Sequence, residues 1–307
     1  MERVLPLVAI RCTTYNHEPY IKDTLEGFVK QKTTFPFVAI VHDDASTDGT
    51  VAIIKEYAEK YPDIIKPIYE SENQYSKQDG SLTRIMNEAC KATGAKYVAI
   101  CEGDDYWTDP LKLQKQIDIM ESDPDITLSF HSVYEIFETA TYNNTIRKKI
   151  SNRYYTGVEW FRTRPSQTAS FIHKIDILDS KLYNAIINSH KFLVGDVPLV
   201  LVCACSGKIF GLSDTMSIYR HNPGGWSAVK RNKEDRWKII KMQLNYEIFG
   251  REYIKPAKYF AQKECVAGFL VGLKQRKIES DFIKFSLKLS FFGTLRAFYK
   301  ILCHKYD

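Results

Sequence analysis

The sequence lacks any apolar run approaching the roughly 18 residues of a membrane-spanning helix. It also lacks a C-x-x-C pair: Cys12, Cys90, Cys101, Cys203, Cys205, Cys265 and Cys303 are odd in number and scattered. That spacing argues against a zinc site or a disulfide framework and fits a reducing compartment. Met1 to Cys12 carries no long apolar segment after a basic start, so a secretory leader is not indicated and a cytoplasmic address is expected. No G-x-G-x-x-G follows a strand-like run, which removes dinucleotide-dependent redox chemistry. Internal repeats and low-complexity tracts are missing too. With 44% hydrophobic and 26% charged residues, the 307-residue chain can bury a sizeable core. Its charge of +6 is mild, and no basic stripe interleaved with aromatics points to nucleic acid.

What is present is alternation. Leu5 to Cys12 is nearly unbroken apolar sequence, as in a strand buried on both faces. The pattern predicts a helix from Pro19 to Gln31, a strand from Phe37 to Val41, a helix from Thr50 to Tyr61 and a strand from Ile64 to Tyr69. A helix over Ser81 to Thr93 and a strand over Tyr97 to Cys101 follow. Asp109-Pro110 reads as cap and first residue of another helix, and Ile126 to His131 as a strand. Thr156 and Glu159 have capping-box spacing. Gln167 to His173, Lys208 to Leu212 and Thr215 to His221 read as strands, with a helix after Asp196. Repeated β-α-β units imply an α/β fold with a mostly parallel sheet. Beyond Trp226 the pattern turns helical and basic, so residues 1–228 are expected as the catalytic domain and 229–307 as a helical extension.

In such a sheet, ligands bind where the strands end. Strand one runs into Thr13-Thr14-Tyr15-Asn16-His17-Glu18, a loop without glycine, and strand two into Asp43-Asp44-Ala45-Ser46-Thr47-Asp48-Gly49-Thr50. The Tyr97–Cys101 strand runs into Glu102-Gly103-Asp104-Asp105-Tyr106-Trp107. Carboxylates crowded at one strand end suit a hard cation such as Mg²⁺ or Mn²⁺, which would bridge a diphosphate. The plain structural reading is a set of helix-capping turns.

These spaced motifs, T-T-Y-N, D-D-A-S-T-D-G-T and E-G-D-D-Y-W, resemble those of the family 2 glycosyltransferases over roughly residues 4 to 230. The resemblance implies the GT-A fold, a Rossmann-like sheet flanked by helices. It also implies an inverting, metal-dependent transfer from a nucleotide-diphosphate sugar, a UDP-sugar first, with Mn²⁺ or Mg²⁺. By matching position, Thr14, Tyr15, Asn16 and Glu18 form the first nucleotide-binding segment, and Asp44 reads the base. Asp104 is the second acid of the D-x-D element and Glu102 stands in place of the first; both are metal candidates. Arg84 matches a contact to donor phosphate. Phe192 to Leu199 resembles the family's E-D element, with Gly195 where Glu is usual and Asp196 as general base. Tyr219 to Ser227 resembles the segment that folds over the phosphates, which makes His221 a phosphate or metal contact. Thr168 and Ser170 are expected on the acceptor side, and Trp107 either stacks on a sugar or fills the core.

Resemblance to bacterial surface-polysaccharide enzymes makes a glycan or lipid-linked acceptor the expected partner. Ile278, Phe282, Phe285, Leu289 and Phe292 recur near helical spacing among Lys284, Lys288, Arg296 and Lys300. They read either as a helix packed on the catalytic domain or as one lying on anionic lipid at the inner face of a membrane. Two rival functions are a sugar-phosphate nucleotidyltransferase, disfavoured by the glycine-free loop after strand one, and a catalytically silent nucleotide- or glycan-binding protein.

Overall fold

The computed structural model describes residues 5–138, 144–193, 195–223, 231–277 and 279–303. The chain divides into two compact units, one of residues 1–188 and 199–228, the other of residues 189–198 and 229–307.

The first unit opens with β1 (Val8–Thr14), α1 (Ile21–Val29), β2 (Phe37–Asp43), α2 (Thr50–Lys60), β3 (Ile65–Tyr69), α3 (Ser81–Ala92) and β4 (Tyr97–Ile100). β5 (Tyr106–Trp107), α4 (Lys112–Ser122), β6 (Ile126–Phe137), β7 (Thr145–Ile146), β8 (Arg153–Tyr155), α5 (Gly157–Thr163), β9 (Ile172–Lys174) and α6 (Lys181–Asn188) follow. α7 (Asp196–Ser206) begins in the second unit and leads back into β10 (Lys208–His221).

The sheet order is β3-β2-β1-β4-β9-β6-β10-β5, with β7 beside β6 and β8 beside β10. β1 is parallel to β2 and β4, β2 to β3, and β6 to β10. β9 is antiparallel to both β4 and β6, so the strands on its two sides point the same way. That polarity brings the ends of β1, β2, β4, β6 and β10 to one edge. Apolar positions of β1, β2 and β4, including Val8, Ile10, Ala39, Val41 and Ala99, are buried against Leu25, Phe28, Ile54 and Leu113 from the helices.

Several expected elements are redrawn. Gln167 to His173 is not one strand: Thr168–Ser170 is a 3-10 turn, held by the Ser170 hydroxyl donating to the Gln167 carbonyl (2.7 Å), and only Ile172–Lys174 pairs. The two short strands after Lys208 are one, β10, with register shifts between Leu212 and Thr215 and between Thr215 and Ser217. α4 starts at Lys112 rather than at Pro110, because Asp109 accepts from the Leu111 N–H (2.8 Å) in a preceding turn. Thr156 does cap α5, accepting from the Glu159 N–H (3.1 Å).

The second unit contains α8 (Lys233–Asn245), α9 (Arg251–Lys274), α10 (Ser280–Leu289) and α11 (Phe291–Cys303). Its core joins Ile240, Ala261, Cys265 and Phe282, with Phe285 and Leu289 packed against it. The apolar spacing expected to run from Ile278 to Phe292 is therefore not one face. Phe282, Phe285 and Leu289 point inward from α10, a new helix starts at Phe291, and Ile278 lies outside the described residues.

Candidate active site

The loops after β1 and β2 brace each other. Asn16, in the left-handed region at φ 53°, donates its N–H to the Ser46 hydroxyl (2.9 Å) and accepts from the Thr47 N–H (2.8 Å). The His17 N–H donates to Thr50 Oγ1 (2.9 Å), and the Glu18 N–H to Asp48 (3.1 Å). Glu18 Oε2 accepts from the Gly49 N–H at the start of α2 (2.8 Å). A Cβ at Gly49 would sit 2.6 Å from that carboxylate, so a larger residue there would push the Glu18 side chain aside. Asn16 and Glu18, expected to bind nucleotide, thus shape the loop with the polar groups expected to touch a ligand, while Tyr15 is exposed beside them.

Asp44 is buried, and both carboxylate oxygens are engaged: Oδ1 accepts from the Gln74 N–H (2.7 Å) and Oδ2 from the Tyr75 N–H (3.0 Å). Its neighbour Asp43 accepts from the Ser46 N–H (3.0 Å) through Oδ2, but Oδ1 is buried without a hydrogen-bond partner among the described residues. An orphaned buried carboxylate oxygen is costly unless something donates to it. The open acceptor at this strand end therefore belongs to Asp43, one residue before the expected position.

The acidic turn after β4 is pressed onto β1. The Gly103 N–H donates to the Thr13 carbonyl (2.9 Å), and a Cβ at Gly103 would lie 2.6 Å from Thr14 Cβ and 3.0 Å from His17 Nδ1. Thr14 Oγ1 and His17 Nδ1 are buried without hydrogen-bond partners among the described residues. Burial holds the His17 ring below its ordinary pKa, against the opposing pull of Asp104, whose Oδ2 lies 4.0 Å from Nε2. Glu102 is hydrogen-bonded by the Thr13 hydroxyl, and burial pushes its carboxyl up, opposed by Arg11.

The end of β10 closes the turn from the other side. Asn222 Nδ2 donates to Asp104 Oδ2 (2.8 Å), and the Arg220 N–H donates to Asp105 Oδ1 (2.9 Å). The Arg220 guanidinium donates to the Asp104 carbonyl (3.1 Å), pairs with Asp23 and lies over the Tyr106 ring at 4.4 Å. Burial, then the nearby Asp104 charge, pushes the Asp105 carboxyl well up. Arg220, Asn222, Asp105 and His17 were not singled out in the sequence. They lie inside the strand-end segments that carry the resemblance, next to the residues that were.

The remaining expected site residues make other contacts. Trp107 is a core residue, 4% exposed, its indole N–H on the Ala169 carbonyl (2.8 Å) and its ring edge-to-face with Phe28. Ser170 is fully buried and shares a hydroxyl hydrogen bond with Ser166, so it cannot touch an acceptor; Thr168 beside it is half-buried. His221 stacks on Phe137 (ring centroids 4.1 Å) with Nε2 3.3 Å from Glu135, while its neighbour Asn222 is the residue that meets Asp104. Arg84, in the first turn of α3, donates to the Asp79 carbonyl (2.9 Å) and is exposed. Asp196, half-buried, is the first residue of α7. Val194 and the Gly224-Gly225 pair lie outside the described residues.

Among the described residues no group of three His, Cys, Asp or Glu side chains could hold a metal ion. Mg²⁺ and Mn²⁺ can be held by a single carboxylate completed by substrate phosphates and water. Asp104, partly exposed at the strand edge, fits that mode; Glu102, bound to Thr13, and His221, bound to Glu135, do not add to it here.

The architecture is that of the GT-A glycosyltransferases. It matches residues 1–349 of Staphylococcus aureus TarS, solved in complex with UDP-GlcNAc, at TM-score 0.59 and 17% identity over 84% of this chain and 71% of that one. The Pyrobaculum calidifontis mannosyltransferase PcManGT, solved with GDP-Man and Mn²⁺, matches at TM-score 0.55 and 14% identity over 98% and 88%. The chain belongs to glycosyl transferase family 2, whose model matches residues 10–192. Rv1520 of Mycobacterium tuberculosis, an uncharacterized protein, is 31% identical over 243 residues, which cover 75% of this chain and 63% of Rv1520. The chain thus spans less than two thirds of that relative's length.

Proposed function

We propose that this chain transfers a sugar, with inversion, from a nucleotide-diphosphate donor, a UDP-sugar first, to a hydroxyl of a glycan or lipid-linked acceptor in bacterial surface-polysaccharide assembly. The observation that carries the donor half is the cluster of unsatisfied buried groups, Thr14 Oγ1, His17 Nδ1 and Asp43 Oδ1, on the loops that flank Asp104. Such a cluster calls for a polar ligand, and TarS and PcManGT, of the same fold, were solved with nucleotide sugars.

In this reading Asp43 accepts from a donor N–H, and the half-exposed Asp104 carboxylate faces the diphosphate side. A Mn²⁺ or Mg²⁺ held by Asp104, when bound, would stabilise charge on the departing diphosphate. Asp196 takes the proton from the acceptor hydroxyl as its oxygen attacks the anomeric carbon, and the bond to the diphosphate oxygen breaks on the opposite side. One displacement gives inversion.

The test is a panel of UDP-, GDP- and dTDP-sugars, titrated with and without Mn²⁺. Asp104→Asn is expected to weaken metal-dependent donor binding by about tenfold or more, about 1.4 kcal/mol. Asp196→Asn is expected to keep donor binding and lose transfer. Binding indifferent to both Mn²⁺ and Asp104→Asn would refute the donor site, and full turnover by Asp196→Asn would remove it as the base.

A further inference from the structure

α11 carries apolar residues on two faces, and only one of them is covered. Inward, Thr294 and Ala297 are buried and Phe298 meets Phe269 edge-to-face at 6.3 Å. Outward, Phe291, Phe292, Leu295, Tyr299 and Leu302 are all exposed, Phe292 at 80% and Tyr299 at 65%. At 3.6 residues per turn these five fall within an arc of about 100°, so they form one continuous row rather than scattered surface residues. A contiguous row of large apolar side chains is not the ordinary scatter of a soluble surface.

The charge of α11 itself has one sign. Arg296, over the Tyr259 ring at 5.0 Å, and Lys300 follow the row on the same helix, and Lys284 and Lys288 stand exposed on the preceding α10. Lys284 and Lys288 have no carboxylate within salt-bridge distance among the described residues. Asp281, the only acid in α10 and α11, is paired with Lys233 at 3.3 Å. A second copy is a poorer occupant: antiparallel two-fold pairing of this face would set each basic edge against another basic edge, and parallel pairing would leave the basic edges without acidic partners from α10 and α11. An anionic surface complements it. No helix among the described residues is long and apolar enough to cross a membrane, so the geometry is that of a helix lying on a bilayer.

We infer that α11 seats the second unit on an anionic lipid surface, with Phe291, Phe292, Leu295 and Leu302 entering the acyl boundary and Tyr299 at headgroup level. Lys284, Lys288 and Arg296 are the cations this reading assigns to lipid phosphates. The inference is independent of the donor site and is read without any sugar substrate.

The experiment is co-sedimentation of the full chain with phosphatidylcholine vesicles and with vesicles containing about one third phosphatidylglycerol, at low and high salt. Binding to the anionic vesicles that weakens with salt is expected. Phe292→Ser with Leu295→Ser should cut the partition at least about tenfold with unchanged circular dichroism, and Lys284→Glu with Lys288→Glu should weaken it on anionic vesicles only. Absence of binding to either vesicle, or binding unchanged by the Phe292 and Leu295 substitutions, would overturn the inference. Equal binding to phosphatidylcholine alone would overturn its anionic part. A dimer in sedimentation velocity that dissolves on Phe292→Ser with Leu295→Ser, without vesicle binding, would assign the face to a second copy instead.

Discussion

Lys112 shows how far a single residue can depart from what its position in the sequence suggests. As the first residue of α4 it reads as an ordinary polar helix position, yet it is fully buried, with Nζ 4.0 Å from the centre of the Trp107 ring. No hydrogen-bond acceptor meets that nitrogen among the described residues, and burial pulls its pKa down to about 7. An unfolded lysine titrates near about 10.4, so between about pH 7 and pH 10 the unfolded chain holds a proton that the folded chain lacks. Stability should therefore rise with pH across that window, and the full penalty, on the order of a few kcal/mol, applies below pH 7. The buried rings of His131 and His173 are held below their ordinary range, so their contribution is already complete by pH 7. The buried thiols of Cys12, Cys90, Cys101, Cys203 and Cys265 are pushed up, so theirs is lost as pH rises past the unfolded thiol range at about 8.5, opposing the lysine. Urea unfolding of wild type and Lys112→Met side by side at pH 7 and pH 8 isolates Lys112, since every other titrating group is common to both. Lys112→Met should be more stable than wild type at pH 7, and that advantage should shrink by about 1 kcal/mol at pH 8; an equal advantage at both pH values would contradict the assignment. The same scale shows what the sequence hid in the site. The strand-end positions of Thr14, Asp104 and the acidic run were legible from the apolar runs before them, but the engagement of Glu18 with Gly49 and of Asp44 with Gln74 and Tyr75 joins residues about thirty positions apart. Spacing along the chain carries no record of such bonds.

At the scale of elements, long apolar runs were the legible part. β1, β2, β4 and the helices between them stand close to where periodicity put them, since each strand is buried on both faces and little else can satisfy such a run. Local hydrogen bonding decided the exceptions. The hydroxyls of Ser166 and Ser170 and the carbonyl of Gln167 hold a 3-10 turn where alternation suggested a strand, and register shifts let β10 continue past Ser213 and Asp214. The consequence for the site is largest at the end of β10, where Arg220 and Asn222 fasten the turn after β4. Arg220 is largely buried and ties together Asp104, Asp105 and Asp23. Arg220→Ala keeps the backbone bond to Asp105 but removes the guanidinium, and hydrogen bonds to charged groups of this kind contribute about 1.5–3 kcal/mol. The variant should lose about 2 kcal/mol in urea unfolding and weaken donor binding, and Asn222→Ala, which removes a buried hydrogen bond to the Asp104 carboxylate, should lose about 1.5–3 kcal/mol as well. If Arg220→Ala lowers stability but leaves donor affinity intact, β10 supports the fold without positioning Asp104.

At the scale of the whole molecule, the chain divides into two units. The strand-end loops that carry Thr14, Asp43 and Asp104 all belong to the first unit, while residues 189–198, including Asp196, belong to the second. That short segment is held by its own unit: Phe192 packs on Tyr246 and Phe249, the Leu193 N–H meets the Met242 sulfur at 3.3 Å, and Asn245 donates to the Lys191 carbonyl at 3.3 Å. None of this was visible in the sequence, where α7 looked like one more helix of the catalytic domain. Its partners lie some fifty residues downstream. A chain ended at Ala228 keeps every strand of the sheet but removes Met242, Asn245, Tyr246 and Phe249, leaving Phe192 and Leu193 without their apolar cover. The truncated protein should keep its strand signal in circular dichroism and, under the proposed function, bind a UDP-sugar with an affinity within a few-fold of the full chain, because Thr14, Asp43 and Asp104 sit in the retained unit. If Asp196 has the role proposed for it, transfer should fall by orders of magnitude, because the segment that carries it is no longer anchored. Fluorescence titration of donor and a transfer assay on the same preparation separate the two effects. Loss of donor binding together with transfer would mean that the second unit completes the nucleotide site, and retained transfer would mean that Asp196 is positioned by α7 alone.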